Sequence, residues 1–194
     1  MDSPANALQQ LLAVLDKMEL PYYVGGSVAS SVHGVPRLTM DVDVVVSLRE
    51  DQVDELAGLL AAEFYADAPT IRSAMAAGRA FNVIHLQSAY KVDLFPLRKD
   101  PFSRSEFSRR SFMDVRSLGA EPIECAVASA EDTVLRKLAW YRAGGESSER
   151  QWNDLRGVAR VSGERLDREY MRHWAEYLKV GDLLERLLSE QLES

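Results

Sequence analysis

The segment Asp41-Val42-Asp43-Val44-Val45-Val46-Ser47 constrains this chain more than any other. Its β-branched valines predict a strand over 41–47, and strand side chains alternate between two faces. Val42, Val44 and Val46 are therefore expected to enter a core. Asp41 and Asp43 are expected to project together from the other face, with Cα atoms roughly 6–7 Å apart. Like charges held this close are costly unless a cation neutralises them. A third carboxylate, Asp93, interrupts the apolar run from Tyr90 to Phe95. If that strand neighbours the first, three Asp side chains converge on a site suited to Mg²⁺ or Mn²⁺, hard cations that prefer oxygen ligands. Two such ions can activate an attacking hydroxyl and neutralise phosphate oxygens.

Other metal chemistries have little support. Cys125 is the only cysteine, so neither an intramolecular disulfide nor a Cys-built zinc site can form. His33, His85 and His173 lie far apart with no ligand-like spacing. The 194 residues, 46% of them hydrophobic, are enough for one substantial core, and the net charge of −7 argues against bulk coating of nucleic acid while leaving room for a local basic patch. Asp16 and Lys17 interrupt the N-terminal apolar pattern before a signal or membrane segment can develop, so no membrane association and a cytoplasmic location are expected.

The remaining pattern divides the chain near residue 128. Leu8, Leu11, Leu12, Leu15 and Met18 recur at helical spacing after a possible cap at Ser3, and Pro21 stops that helix. A short strand over 22–24, a short helix over 27–33 closed by Gly34, a helix over 50–62, a weak strand at 64–65 and a helix over 70–77 follow. Strands over 81–86 and 90–95 should form an antiparallel hairpin. Residues 98–116 carry six basic and three acidic side chains, the one basic stretch in the chain, best placed to meet a phosphate-bearing acceptor if it is not simply a solvated face. After a strand at 123–127, Ser129 caps the first of four helices, over 130–143, 148–161, 167–178 and 181–192. The expected organisation is a mixed α/β (α+β) domain over 1–128 and a helical region over 129–194 packed on it.

The second requirement of phosphate chemistry is a cradle. Gly25-Gly26-Ser27, between a strand and a helix, offers backbone N–H groups, a hydroxyl and a helix N-terminus to a polyphosphate. The glycine spacing does not fit a dinucleotide fingerprint, and there is no P-loop.

Taken together, Val24-Gly25-Gly26-Ser27, Arg37-Leu38-Thr39-Met40-Asp41-Val42-Asp43 and Val92-Asp93-Leu94 resemble the signature of the DNA polymerase β-like nucleotidyltransferase superfamily. The resemblance is closest to its small bacterial members, including those related to abortive-infection toxin nucleotidyltransferases. It spans about residues 20–95 at motif level, and the helical segments around Glu131–Leu138 and Arg150–Leu155 look like the tail of similar proteins. It implies a mixed β-sheet flanked by helices and a C-terminal helical segment. Asp41, Asp43 and Asp93 would be the catalytic, metal-holding residues, with Asp93 also able to accept the acceptor's proton. Gly25, Gly26 and Ser27 would hold the nucleotide phosphates. Arg37 and Thr39 would contact phosphate or brace the turn, and Lys137 would face the nucleotide. The implied substrates are an NTP and a hydroxyl acceptor: tRNA, a protein or a small molecule such as an aminoglycoside. The competing expectation is an inactive nucleotide-binding protein of the same fold, such as one member of a toxin–antitoxin pair with a cognate antitoxin.

Plainer roles compete for several residues. Arg37 can simply pair with a carboxylate, and Lys137 can be a solvated side chain on a Leu-rich helix. His33 reads as a hydrogen-bonded structural residue. Trp140, Tyr141, Trp152 and Trp174 read as helix packing rather than platforms for a base.

Overall fold

The structure is a computed structural model and describes residues 4–39, 41–119 and 121–191; the expected cap Ser3 and the motif residue Met40 lie outside them. The first half of the chain comprises α1 (Pro4–Lys17), β1 (Tyr22–Val24), α2 (Gly26–His33), β2 (Val42–Val46), α3 (Val53–Leu60), β3 (Phe64–Tyr65), α4 (Ala68–Ala76), β4 (Phe81–His85) and β5 (Lys91–Pro96). It continues with α5 (Pro101–Ser108), β6 (Ser111–Val115), β7 (Ile123–Val127), α6 (Ala130–Ala143), α7 (Glu149–Ser162), α8 (Arg168–Tyr177) and α9 (Gly181–Glu190). Among the described residues no helix is long and apolar enough to cross a membrane.

The seven strands form one mixed sheet in the order β3-β4-β5-β2-β1-β7-β6. As expected from the alternation, Val42, Val44 and Val46 are buried, together with Val92 and Leu94 of the neighbouring β5. They pack with α1, α3 and α4 in a core built from residues between Ala5 and Ala128. A second core joins α6, α7, α8 and α9, and among the described residues Phe102 of α5 is its one buried member that precedes α6.

β2 and β5 run parallel with Asp43 opposite Asp93 and Val45 opposite Phe95, while β1 runs antiparallel to β2 with Tyr23 opposite Val45. Opposed residues share a face. The face opposite Val42, Val44 and Val46 therefore carries Asp43, Asp93, Val45, Phe95 and Tyr23, and Tyr23, Asp43, Val45 and Phe95 line one cavity with residues of α5, α6 and α7. α2 joins sheet and helices through a close approach at Gly34, where a Cβ would lie 2.8 Å from both the Ser30 carbonyl oxygen and the Val158 nitrogen of α7.

The expected hairpin forms, with Phe81 opposite Leu94. Three expectations need correction. The strand over 41–47 is shorter, so Asp41 precedes it. The segment 50–62 begins as a 3-10 turn, with the α-helix confined to Val53–Leu60. Residues 98–116 are ordered structure rather than a uniform basic face: Asp100 caps α5, which buries Phe102 and Glu106, and β6 pairs antiparallel with β7 as a sheet edge. Of the six basic residues there, Arg109 pairs with Glu131, Arg110 lies over the Phe107 ring and Arg116 pairs with Asp114.

Candidate active site

Where β1 ends and α2 begins, the chain turns tightly beside β2. The Gly25 N–H donates to the Asp43 carbonyl oxygen at 2.9 Å and extends the sheet ladder, so this amide is committed to the fold rather than open to a phosphate. Gly26 has φ +55, and a Cβ there would fall 1.8 Å from Asp43 Oδ2. Glycine is required on both counts: the left-handed conformation is costly for other residues, and the Asp43 carboxylate occupies the volume a side chain would need. The N-terminus of α2 is thereby brought against that carboxylate.

Asp43 is half-buried, and its pKa is pushed up to about 6, first by burial and then by repulsion from Asp93 and Asp41. Asp41 is exposed just before β2, its backbone held by Thr39, whose Oγ1 donates to the Asp41 carbonyl oxygen at 3.2 Å and accepts from its N–H at 3.4 Å. Thr39 is itself buried, so it braces the turn. Asp93 lies beside Asp43 in the sheet, but its carboxylate is held by Lys91 Nζ at 3.0 Å. The donor set is all oxygen and its negative charge is only partly compensated by Lys91, which suits a hard divalent cation. Among the described residues no three acidic, His or Cys side chains stand ready-gathered around one metal position.

Asp41, Asp43, Gly25, Gly26 and Ser27 line a cavity of about 920 Å³ between the sheet and α5, α6 and α7. Arg37 and Lys137 line its wall, and Asp154 on α7 joins them. Arg37 donates from Nε and Nη2 to the two Asp154 carboxylate oxygens at 2.9 Å each, and again from Nη2 to Ser27 Oγ at 2.8 Å. Lys137 Nζ donates to Asp154 Oδ2 at 2.8 Å. Burial opposes ionisation of Asp154, but the bonds from Arg37 and Lys137 outweigh it and hold its pKa below the usual carboxylate range. One acid thus fixes two cations beside the α2 N-terminus. Lys137 is 12% exposed, so it is not the solvated side chain considered above.

Asp154 and Trp140 were not among the site residues that the sequence suggested. Asp154 falls in an ordinary helical pattern and reveals itself only through partners 17 and 117 positions away. Trp140 is a correction: Tyr141 and Trp152 are buried in the second core as expected, but Trp140 is 53% exposed and lines the cavity. Helical spacing identified a Trp on a helix but not which side of α6 it occupies. Of the six basic residues in the stretch 98–116, Arg98 alone lines the cavity, together with Ser103 and Glu106. His33 is structural, as expected, donating from Nε2 to the Ala128 carbonyl oxygen at 2.6 Å.

No protein-family model matches the sequence. No curated protein matches it either. Solved structures do match. The antibiotic-resistance factor ANT(2'')-Ia shares 16% identity over 92% of this chain and 93% of its own, with a TM-score of 0.53. The lincomycin-bound lincosamide antibiotic adenylyltransferase LnuA shares 12% identity over 79% of this chain and 95% of its own, with a TM-score of 0.51. An antigenic nucleotidyltransferase-like protein from Paracoccidioides brasiliensis shares 13% identity over 94% of this chain and 91% of its own, also with a TM-score of 0.51. The chain has the nucleotidyltransferase fold: a mixed seven-stranded sheet flanked by helices.

Proposed function

We propose that the protein is a divalent-metal-dependent nucleotidyltransferase that moves a nucleoside monophosphate from an NTP to a hydroxyl-bearing acceptor, an RNA, a protein or a small molecule. The observation that carries this reading is the pairing of Asp43 with Asp93 across β2 and β5, with Asp41 alongside, at a glycine turn that leaves room for the Asp43 carboxylate. Asp41, Asp43 and Asp93 would hold Mg²⁺ or Mn²⁺. When bound, the metal would supply charge neutralisation on the phosphate oxygens and acidify the attacking hydroxyl.

The residues of the chain divide the remaining work. Gly26 and Ser27, at the start of α2, together with Arg37 and Lys137, bind the triphosphate, while Thr39 sets the position of Asp41. The acceptor oxygen forms a bond to the α-phosphorus as the bond to the β-phosphate oxygen breaks, and pyrophosphate leaves. The hydroxyl proton passes to Asp93. Similarity to a lincosamide antibiotic adenylyltransferase supports transfer of this kind without identifying the acceptor.

The experiment is incubation with NTPs labelled at the α-phosphate and Mg²⁺ or Mn²⁺, offering cellular RNA, cellular protein and aminoglycosides as separate acceptors. Label is expected in one fraction, and Asp43→Asn should reduce its transfer by about 10²-fold or more. Equal transfer by that variant overturns the mechanism. The Lys91 hold on Asp93 favours one second reading, a protein that binds NTP without turnover. In that case NTP binds but neither label transfer nor pyrophosphate release follows with any acceptor.

A further inference from the structure

α6 and α7 form an antiparallel hairpin whose inner face is one wall of the cavity. The Lys137 to Asp154 ion pair forms one rung of that wall. Three residues further along α6 and three residues back along α7, about 4.5 Å along each axis, lie Trp140 and Gln151. A third rung follows at Ala143 and Ser148. All six residues line the cavity.

The rungs differ in chemistry. The first is ionic, braced by Arg37, and stands beside Ser27 at the start of α2. The second pairs a large exposed aromatic with a half-buried amide. Among the described residues no aromatic ring packs on Trp140. An indole left half open to a cavity, one turn from a cationic rung, offers a π-face to a planar ligand.

We propose that Trp140 and Gln151 form the nucleobase slot of the site: the indole stacks on the base, and the Gln151 amide, with donors and an acceptor, reads its edge. This rests on the nucleotide reading above, because the cationic rung is taken to hold the phosphates of the same molecule. Stacking tolerates every base, since each has a π-face, so Trp140 sets affinity and Gln151 sets preference.

Trp140 is also its own reporter, because Trp152 is buried and Trp174 is ringed by Phe102, Tyr170, His173 and Tyr177. The experiment titrates the 194-residue chain, in Mg²⁺, with two probes: α,β-methylene-ATP, which cannot be turned over at that bond, and inorganic tripolyphosphate, which has no base. The ATP analogue should quench the red-edge tryptophan emission, and tripolyphosphate should bind without doing so. Trp140→Ala should weaken analogue binding by about tenfold and Trp140→Phe by less, with tripolyphosphate affinity unchanged in both. Gln151→Leu should flatten any preference among the four NTPs.

If wild type binds the analogue but its emission is unmoved and Trp140→Ala binds equally well, the slot is wrong and the nucleotidyl-transfer reading stands. If wild type binds neither probe, both are overturned. Loss of tripolyphosphate binding in Trp140→Ala would place Trp140 in the architecture of the phosphate rung and overturn the slot.

Discussion

Two clusters of carboxylates reach the cavity wall, one through Glu106 and the other through Asp41 and Asp43, and they are neutralised differently. Around α5 and α6, Glu106 is 2% exposed and is ion-paired with Arg136, which also donates to Ser103 Oγ at 3.2 Å and lies over the Phe102 ring. Nearby, fully buried Asp132 accepts from Ser129 Oγ and Tyr170 Oη, each at 2.6 Å, with Arg109 Nε at 3.4 Å. At the mouth of the cavity Asp43 has acids for neighbours instead: Asp93 across the strand and Asp41 two residues back. Among the described residues no ion pair reaches its carboxylate. The interior cluster is complete within the chain and has a structural role. The mouth is electrostatically incomplete, and a group left incomplete in this way is a candidate for completion by ligand.

Removing Glu106 should have the largest effect. Glu106→Ala would strand the Arg136 guanidinium in a poorly solvated position, and breaking a buried pair from one side costs about 3–5 kcal/mol. Chemical denaturation should report that loss. A loss below about 1 kcal/mol would mean that Arg136 relaxes into solvent and that the two clusters are less different than their geometry indicates.

Asp43 should behave in the opposite way. An acid whose pKa is raised on folding, here to about 6, binds more protons folded than unfolded between about pH 4 and 6, so stability falls as pH rises through that window. The penalty is absent at low pH and fully developed above about pH 6. In EDTA, Asp43→Asn should therefore be more stable than wild type by about 3 kcal/mol at pH 8 and nearly equal to it at about pH 4 and below. Thermal melts at the two pH values check this. A destabilised variant at pH 8 would show that Asp43 has a structural role like that of Glu106.

How far the sequence reveals these features follows from the range of the interactions. β2 and α6 are legible because local signals agree: β-branched alternation in Val42–Val46, and a Ser129 cap with acids in the first turn of Ala130–Ala143. α5 and β6 were missed because Arg104, Arg109 and Arg110 give their segment the composition of a surface, while its burial rests on Phe102, Glu106 and partners contributed by the later helices. In the site, the residue types of the turn and the acidic strands are visible in the sequence. The fixing of Arg37 and Lys137 by Asp154, and the cavity-facing position of Trp140, depend on how α7 packs against α2 and α6, which no local spacing encodes.

The smallest effect on stability sharpens the comparison most, because it concerns Lys91, which among the described residues is the cation ion-paired with one of the three candidate metal-holding carboxylates. Lys91 holds Asp93 from a position 50% exposed, a solvated pair whose loss should change stability by less than about 1 kcal/mol. Beyond that pair, its positive charge also interacts with Asp41 and Asp43. If the three carboxylates share a divalent cation, Lys91 competes with it both by charge and by occupying Asp93. Lys91→Met should therefore tighten Mn²⁺ binding by about threefold while leaving the melting temperature nearly unchanged, as measured by calorimetric titration of the metal. Asp93→Asn in the Lys91→Met background should remove that gain, because the freed carboxylate is its source. If Mn²⁺ affinity is indifferent to Lys91, then Asp93 belongs with the internally neutralised acids, and the incomplete cluster narrows to Asp41 and Asp43.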